Sequence, residues 1–331
     1  VSDVLPTSSD VRAAALRLRP WVAETPVLES PLLNERVGAR VLLKAECLQH
    51  TGSFKIRGAM NRLLQLSADE RAAGVVAFSS GNHAQGVAQA ARWLGTSAAI
   101  VMPRDAPAVK LNDTRALGAE VVLYDRHTED RETIARTLAA ERGAALVPPF
   151  DHGDIVAGQG TVGLELVAWA QARKLEMNQV LVPCGGGGLA AGIALAVRST
   201  SPNARIVGVE PVGFDDTRQS LAAGRRISIA GDADTLCDAL MTPAPGAVTF
   251  AVNRRLMAAV LVVDEADVAE AVRFAFRQLR LVLEPSGAVA LAALLAGKVA
   301  DPGECLAVVL SGGNVDPAAF GRLIQDQPGN P

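Results

Sequence analysis

The sequence is short of the residues that build metal and redox centres. It holds four cysteines, Cys47, Cys184, Cys237 and Cys305, and four histidines in 331 residues. No two cysteines form a C-x-x-C pair, so no thiolate or imidazole metal cluster is legible. Scattered cysteines in a chain this long fit a reduced, cytoplasmic protein. Excess charge of one sign is also missing: 32 Lys and Arg against 35 Asp and Glu leave a formal charge of −3. That balance offers no general attraction for nucleic acid or an anionic membrane. With 49% apolar and 20% charged residues, disorder is excluded as well. The opening VSDVLPTSSD has no basic stretch leading into an apolar one, so no signal peptide is expected. Met177 to Val197 is a charge-free run of membrane-spanning length. It contains Pro183 and four successive glycines, whose irregular backbone lipid would leave unsatisfied. A strand, a glycine turn and a buried helix explain it better.

What is present is alternation. Short β-branched runs take turns with Ala/Leu-rich helical stretches. Strands are expected at Val41–Glu46, Val75–Ser79, Ala98–Met102, Val121–Tyr124, Val180–Cys184, Ile206–Glu210, Val260–Val263 and Leu306–Leu310. Helices are expected at Phe54–Gln65, His83–Leu94, Val109–Leu117, Glu129–Glu141, Gly158–Ala172, Leu189–Arg198, Glu265–Leu279, Gly287–Leu295 and Pro317–Ile324. This is the βαβ signature of parallel sheets, and strands apolar on both faces imply helices on both sides. The length exceeds what one core usually fills. The pattern predicts two open, doubly wound α/β sheets with a cleft between them. Ligands in such sheets lie beyond the carboxyl ends of the strands.

Four segments carry chemistry. Thr51-Gly52-Ser53-Phe54-Lys55 sets a lysine at a helix start, where the positive terminus lowers an ammonium pKa, as a Schiff-base amine requires. An ordinary surface lysine is the plain alternative. Gly185, Gly186, Gly187 and Gly188 join a strand to a helix, so backbone amides can converge on an anion. No Walker lysine and serine follow, which argues against a nucleoside triphosphate. Ser79-Ser80-Gly81-Asn82-His83 suits a carboxylate or a phenolic oxygen, or simply caps a helix. Ser311-Gly312-Gly313-Asn314 ends a buried strand and presents a hydroxyl, or simply turns. A nicotinamide-dependent oxidoreductase is the rival reading, with Gly186, Gly188 and Gly192 as the fingerprint and Glu210 as the ribose ligand. It leaves Lys55 unexplained.

Together, Lys55, Asn82, Gly185–Gly188 and Ser311 resemble, in that chain order, the pyridoxal-phosphate enzymes of the tryptophan-synthase β-like fold. Within them the chain is similar to the threonine dehydratase and serine racemase family. Lys44–Lys55, Ser80–Gly86, Gly158–Thr161, Gly185–Leu189 and Ser311–Asn314 carry the likeness, which runs from about Pro20 to Phe320.

The resemblance implies the following roles. Lys55 forms the Schiff base with pyridoxal 5'-phosphate and then removes the α-proton. Gly185–Gly188 hold the cofactor phosphate, Asn82 bonds the ring oxygen, Phe54 packs on the ring, and Ser311 partners the pyridine nitrogen. Ser53, Ser80 and His83 lie at the substrate carboxylate, with Arg131 as a further carboxylate ligand. A serine rather than a carboxylate at the ring nitrogen makes the ring a weaker electron sink, which suits elimination over transamination. The implied reaction is loss of water from L-threonine or L-serine, giving 2-oxobutanoate or pyruvate and ammonia. Serine racemase and 3-hydroxyaspartate dehydratase are the alternatives, and Ser80 keeps racemisation open as the acid or base opposite the lysine. Glu210, the Phe214 carbonyl and Asp216 match a site for a divalent cation, Mg or Ca. A small amino acid is the implied partner and a homodimer the implied assembly.

Two departures stand out. Cys184 replaces a small aliphatic residue, and Ala239 replaces a glycine that approaches the cofactor ring. Because Lys55 and Gly185 must meet on one cofactor, residues 67–149 are expected to form a small inserted domain. Residues 1–66 and 150–331 would form the large cofactor-binding domain. The motifs end at Asn314, close to residue 331, so no C-terminal regulatory domain is expected.

Overall fold

A computed structural model describes residues 5–79, 81–106, 108–231 and 233–325. Its strands are β1 (Val27–Leu28), β2 (Arg40–Ala45), β3 (Val75–Phe78), β4 (Ala98–Pro103), β5 (Glu120–Tyr124), β6 (Ala145–Leu146), β7 (Gln179–Pro183), β8 (Arg205–Pro211), β9 (Met257–Val263) and β10 (Cys305–Leu310). Its helices are α1 (Ser8–Leu18), α2 (Pro31–Val37), α3 (Lys55–Leu64), α4 (Ala68–Ala73), α5 (Asn82–Leu94), α6 (Ala108–Ala116), α7 (Arg131–Arg142), α8 (Gly153–Ala172), α9 (Gly188–Arg198), α10 (Asp216–Ala223), α11 (Ala247–Leu256), α12 (Glu265–Phe274), α13 (Pro285–Leu295) and α14 (Pro317–Ile324).

The strands form two sheets, ordered β1-β2-β10-β7-β8-β9 and β5-β4-β3-β6. Every pairing is parallel except β1 with β2. The two-residue periodicity of a strand sends alternate side chains to opposite faces. In β10, Leu306, Val308 and Leu310 enter the core under α12 and α13, while Ala307 and Val309 enter the one under α8 and α9. In β3, Val75 and Ala77 pack toward α3 and α5, while Val76 and Phe78 pack toward α7. Both sheets are therefore doubly wound, as the two-faced apolar strands predict.

All eight expected strands are present. The additional pair, β1 and β6, are two-residue edge strands, too short to show a period. The smaller sheet comes entirely from residues 75–146, and the larger draws strands from both sides of that stretch. Helix α3 precedes the stretch, yet its Ile56, Ala59, Met60 and Leu63 fill the smaller sheet's core.

The charge-free run of Met177 to Val197 resolves into β7, a glycine loop and α9. Among the described residues no helix is long and apolar enough to cross a membrane. Helix α8 crosses α9 at glycines: a Cβ on Gly160 would meet the Gly192 carbonyl at 2.7 Å, and one on Gly192 the Val156 carbonyl at 2.4 Å. Gly192 thus serves helix packing.

Candidate active site

A cleft opens at the carboxyl ends of β3, β7 and β10 and takes in Phe54, Lys55, Asn82, His83, Gly185–Gly188 and Ser311. The site-facing helices share a feature. Among the described residues the N-cap side chains of α3, α5, α9 and α13 make no capping bond, whereas those of α1, α2, α4, α7, α8, α12 and α14 do. The leading amides of a helix need partners, and at an uncapped end they are open to an anion.

Lys55 is the first residue of α3 and is half-buried, its surface opening on the cleft. Its Nζ donates to the Pro149 carbonyl at 2.9 Å and lies 5.2 Å from the centre of the Phe54 ring. Desolvation draws the amine down to about 8, against the pull of the Glu284 carboxylate.

The glycine loop is held from behind. Thr249 Oγ1 and Asn253 Nδ2, one turn apart on α11, donate to the carbonyls of Gly186 and Gly187 at 2.6 and 3.2 Å. With the carbonyls turned back, the amides of Gly185, Gly186 and Gly187 have no backbone acceptor among the described residues. Side chains are excluded here: Gly187 has φ +89°, and a Cβ on Gly186 would lie 2.4 Å from the Phe150 ring. The result is a cradle of N–H groups with the α9 terminus beneath, suited to a phosphate.

Ser311 follows β10, is buried, and lines the cleft with a hydroxyl that bonds no described residue. His83 is buried, and burial pushes its imidazole down to about 3, so the ring is neutral. Nε2 pairs with the Val147 carbonyl at 2.9 Å, and a carbonyl only accepts. That leaves Nδ1, which has no partner among the described residues, as an acceptor. Such a ring suits a hydroxyl or ammonium, and the open α5 amides remain the donors for a carboxylate. Ser53 is fully buried and does not reach the cleft wall, because its backbone bridges to Gly312; its hydroxyl has no partner. Ser80 lies outside the described residues. Arg131 opens α7 and lines the cleft with its guanidinium 6.0 Å from the centre of the Phe78 ring, making no salt bridge among the described residues. Ala239 also lines the cleft, its amide donating to Ser286 Oγ at 3.0 Å.

The sequence reading omitted Phe150, Glu284, Lys110, Asp238, Thr249 and Asn253. Lys110 and Asp238 form a 2.5 Å ion pair at the cleft, between α6 and the segment that joins α10 to α11. Thr249 and Asn253 show the i, i+4 spacing of one helix face, a signal that was available. Glu284 stood alone as an acid between apolar stretches.

Away from the cleft, Glu210 ends β8 fully buried and accepts from the amides of Thr217 and Arg218 at 3.0 Å. It does not line the cleft, so it has no access to a ribose there, and the nicotinamide reading fails. Asp216 is buried beside it with both carboxylate oxygens unpartnered among the described residues. Burial raises Glu210 to about 7; burial and the Glu210 charge raise Asp216 to about 8. Phe214, between them in the chain, is fully buried.

A desolvated amine, an N–H cradle for phosphate and open amides for a carboxylate define an enzyme that captures a carbonyl-bearing, phosphorylated group beside an amino acid. The comparisons agree, and the chain belongs to the pyridoxal-phosphate dependent enzyme family, whose model matches residues 18–312. It is 42% identical over 328 residues, 99% of each chain, to L-threo-3-hydroxyaspartate ammonia-lyase of Saccharomyces cerevisiae. The crystal structure of a T.th. threonine deaminase matches with a TM-score of 0.89 and 46% identity, covering 94% of this chain and 99% of that one. Maize serine racemase matches with a TM-score of 0.91 and 37% identity, covering 96% and 97%.

Proposed function

We propose that the chain is a pyridoxal-phosphate-dependent ammonia-lyase that removes water from a small β-hydroxy amino acid. The observation that carries this reading is the meeting of the Lys55 amine, the open glycine amides and the free Ser311 hydroxyl in one cleft. The cofactor, when bound, supplies an aldehyde for the amino group and a ring that withdraws electrons from the α-carbon. Gly185–Gly188 would hold its phosphate, Phe54 its ring face, Asn82 its ring oxygen and Ser311 its ring nitrogen. Lys55, its amine drawn down by desolvation and placed at the mouth of the cleft, is the base that takes the α-proton. The α5 amides orient the α-carboxylate. The β-hydroxyl leaves with a proton as water, and the freed enamine hydrolyses to a 2-oxo acid and ammonia.

The sequence reading puts L-threonine first. Arg131, a cleft cation with no acid partner among the described residues, moves L-threo-3-hydroxyaspartate ahead of L-threonine and L-serine, because it suits a second carboxylate. The check is kcat/KM for ammonia release on the three substrates. Arg131→Leu is expected to cost about 100-fold on hydroxyaspartate, and no more than about threefold on threonine. Equal losses on all three would assign Arg131 to the α-carboxylate and restore threonine. With L-serine, pyruvate is expected faster than D-serine; the reverse would make the chain a racemase.

The acids near β8 fit a hard divalent cation, since two buried carboxylates side by side lack a positive partner and Asp216 has both oxygens free. Glu210, Asp216 and the Phe214 carbonyl would ligate Mg or Ca. Saturating Mg or Ca is expected to raise Tm, by about 2.7 kcal/mol of stabilisation at 100 times Kd. Asp216→Asn should remove that shift. An identical shift in the variant would rule out this site.

A further inference from the structure

The side-chain amide of Asn82 is held from two sides. Its Nδ2 donates to Glu284 Oε1 at 2.6 Å, and its Oδ1 accepts from Asn314 Nδ2 at 2.7 Å. Asn314 Nδ2 also lies within reach of the Thr51 carbonyl at 2.7 Å and Gln85 Oε1 at 3.0 Å. An ionised carboxylate only accepts, and an amide nitrogen only donates, so the Asn82 amide fits one way round. One Nδ2 hydrogen is left over, on a residue that lines the cleft.

Glu284 is built for this contact rather than for its own helix. It is buried, precedes α13, and makes no side-chain cap there. Its surroundings leave little slack: a Cβ on Gly312 would lie 2.1 Å from Glu284 Oε1 and 3.3 Å from Asn82 Nδ2. The charged and titratable groups that face it are Lys55 from α3, Lys110 from α6, Asp238 from the segment between α10 and α11, and the buried Cys47 and Cys237. Burial first, then Asp238, raises its carboxyl to about 7, against Asn82, Lys110 and Lys55.

We infer that Glu284 is a positioning residue: acting through Asn82, it decides that an N–H rather than a C=O faces the cofactor ring oxygen. This rests on the reading of the cleft given above. Protonated Glu284 gains an O–H, which can donate to a flipped Asn82 amide at the cost of the Asn314 bond, and the flipped amide would set oxygen against oxygen. Elimination should therefore weaken as pH falls through the Glu284 range.

The test uses the cofactor-reconstituted wild type, Glu284→Gln and Glu284→Ala, with kcat, KM, pH profile and the cofactor's visible spectrum measured for each. Glu284→Ala is expected to lower kcat roughly 10- to 100-fold, with KM moved no more than about threefold and the visible band shifted. Glu284→Gln can still accept from Asn82, so it should recover much of kcat at neutral pH while its acid limb becomes shallower, one titrating group fewer than in the wild type and only the Lys55 contribution left. Wild-type kcat and spectrum in Glu284→Ala would overturn the proposal, and so would an acid limb in Glu284→Gln identical to that of the wild type. A wild type that takes up no cofactor would instead overturn the functional reading on which the proposal stands.

Discussion

Replacing Lys55 with methionine is expected to end elimination and, at the same time, to make the cofactor-free protein more stable. The first effect follows from the amine's double task of capturing the aldehyde and moving the α-proton; its loss should lower kcat by at least about 10⁴-fold. Borohydride should trap the cofactor on the wild type and not on the variant. The second effect follows from the environment. The amine drops from 10.5 to about 8 because the site desolvates it. Below pH 8 the amine carries its proton in both the folded and unfolded states, and only the folded state bears the desolvation cost. Between about 8 and 10.5 the folded amine is already neutral and the cost fades. The stability gain should therefore be full below pH 8, on the order of 3 kcal/mol, and vanish above the unfolded value. Urea unfolding of the two cofactor-free proteins at neutral and alkaline pH measures it. Equal stability at neutral pH would show that the amine is not desolvated there; wild-type turnover would remove Lys55 from the chemistry.

Arg57→Met is expected to cost about 3–5 kcal/mol, because it strands the buried Glu46 carboxylate and leaves Glu165 to Lys44 alone. Arg57 is fully buried two residues beyond Lys55 on α3. Its guanidinium donates to both oxygens of Glu46, both oxygens of Glu165, Thr161 Oγ1 and the Ala23 carbonyl. Lys44 Nζ joins the network through Glu165 Oε2 and the Thr25 carbonyl, each at 2.6 Å. The network ties α3 to β2 and to α8, so it anchors the helix whose first residue is Lys55. Removing one partner leaves charge buried without compensation; removing all of it need not. Adding Glu46→Gln to Arg57→Met, with Glu165 left to pair with Lys44, should recover more than half of the loss in urea unfolding. No recovery would mean that packing around the guanidinium, rather than its charge, carries the stability.

Much of this architecture was legible in the chain. The eight longer strands were marked by apolar runs, and their two-faced character foretold helices on both sides. Lys55, Asn82, Gly185–Gly188 and Ser311 were each marked by a local motif, and the structure lines one cleft with them. The helices α1, α2, α4, α10 and α11 were missed, although Thr7 with Asp10 and Ser67 with Glu70 are start signals readable in the sequence. Gly192 and Glu210 show the opposite error. Their spacing imitates a dinucleotide fingerprint, while Gly192 lets two helices touch and Glu210 holds the first amides of α10.

The sequence by itself determined the two doubly wound sheets and the residue types of the glycine cradle, because strand period, helix starts and glycine turns act over a few neighbouring residues. Tertiary structure alone decided which groups complete the site. Glu284 reaches Asn82 across 202 residues and Asn314 reaches it across 232. Ser53, by contrast, is carried behind the cleft wall by a backbone bridge to Gly312. A hydrogen bond between such distant residues leaves no periodic trace in the chain, since its geometry exists only after the sheets have packed and water has been excluded from between them.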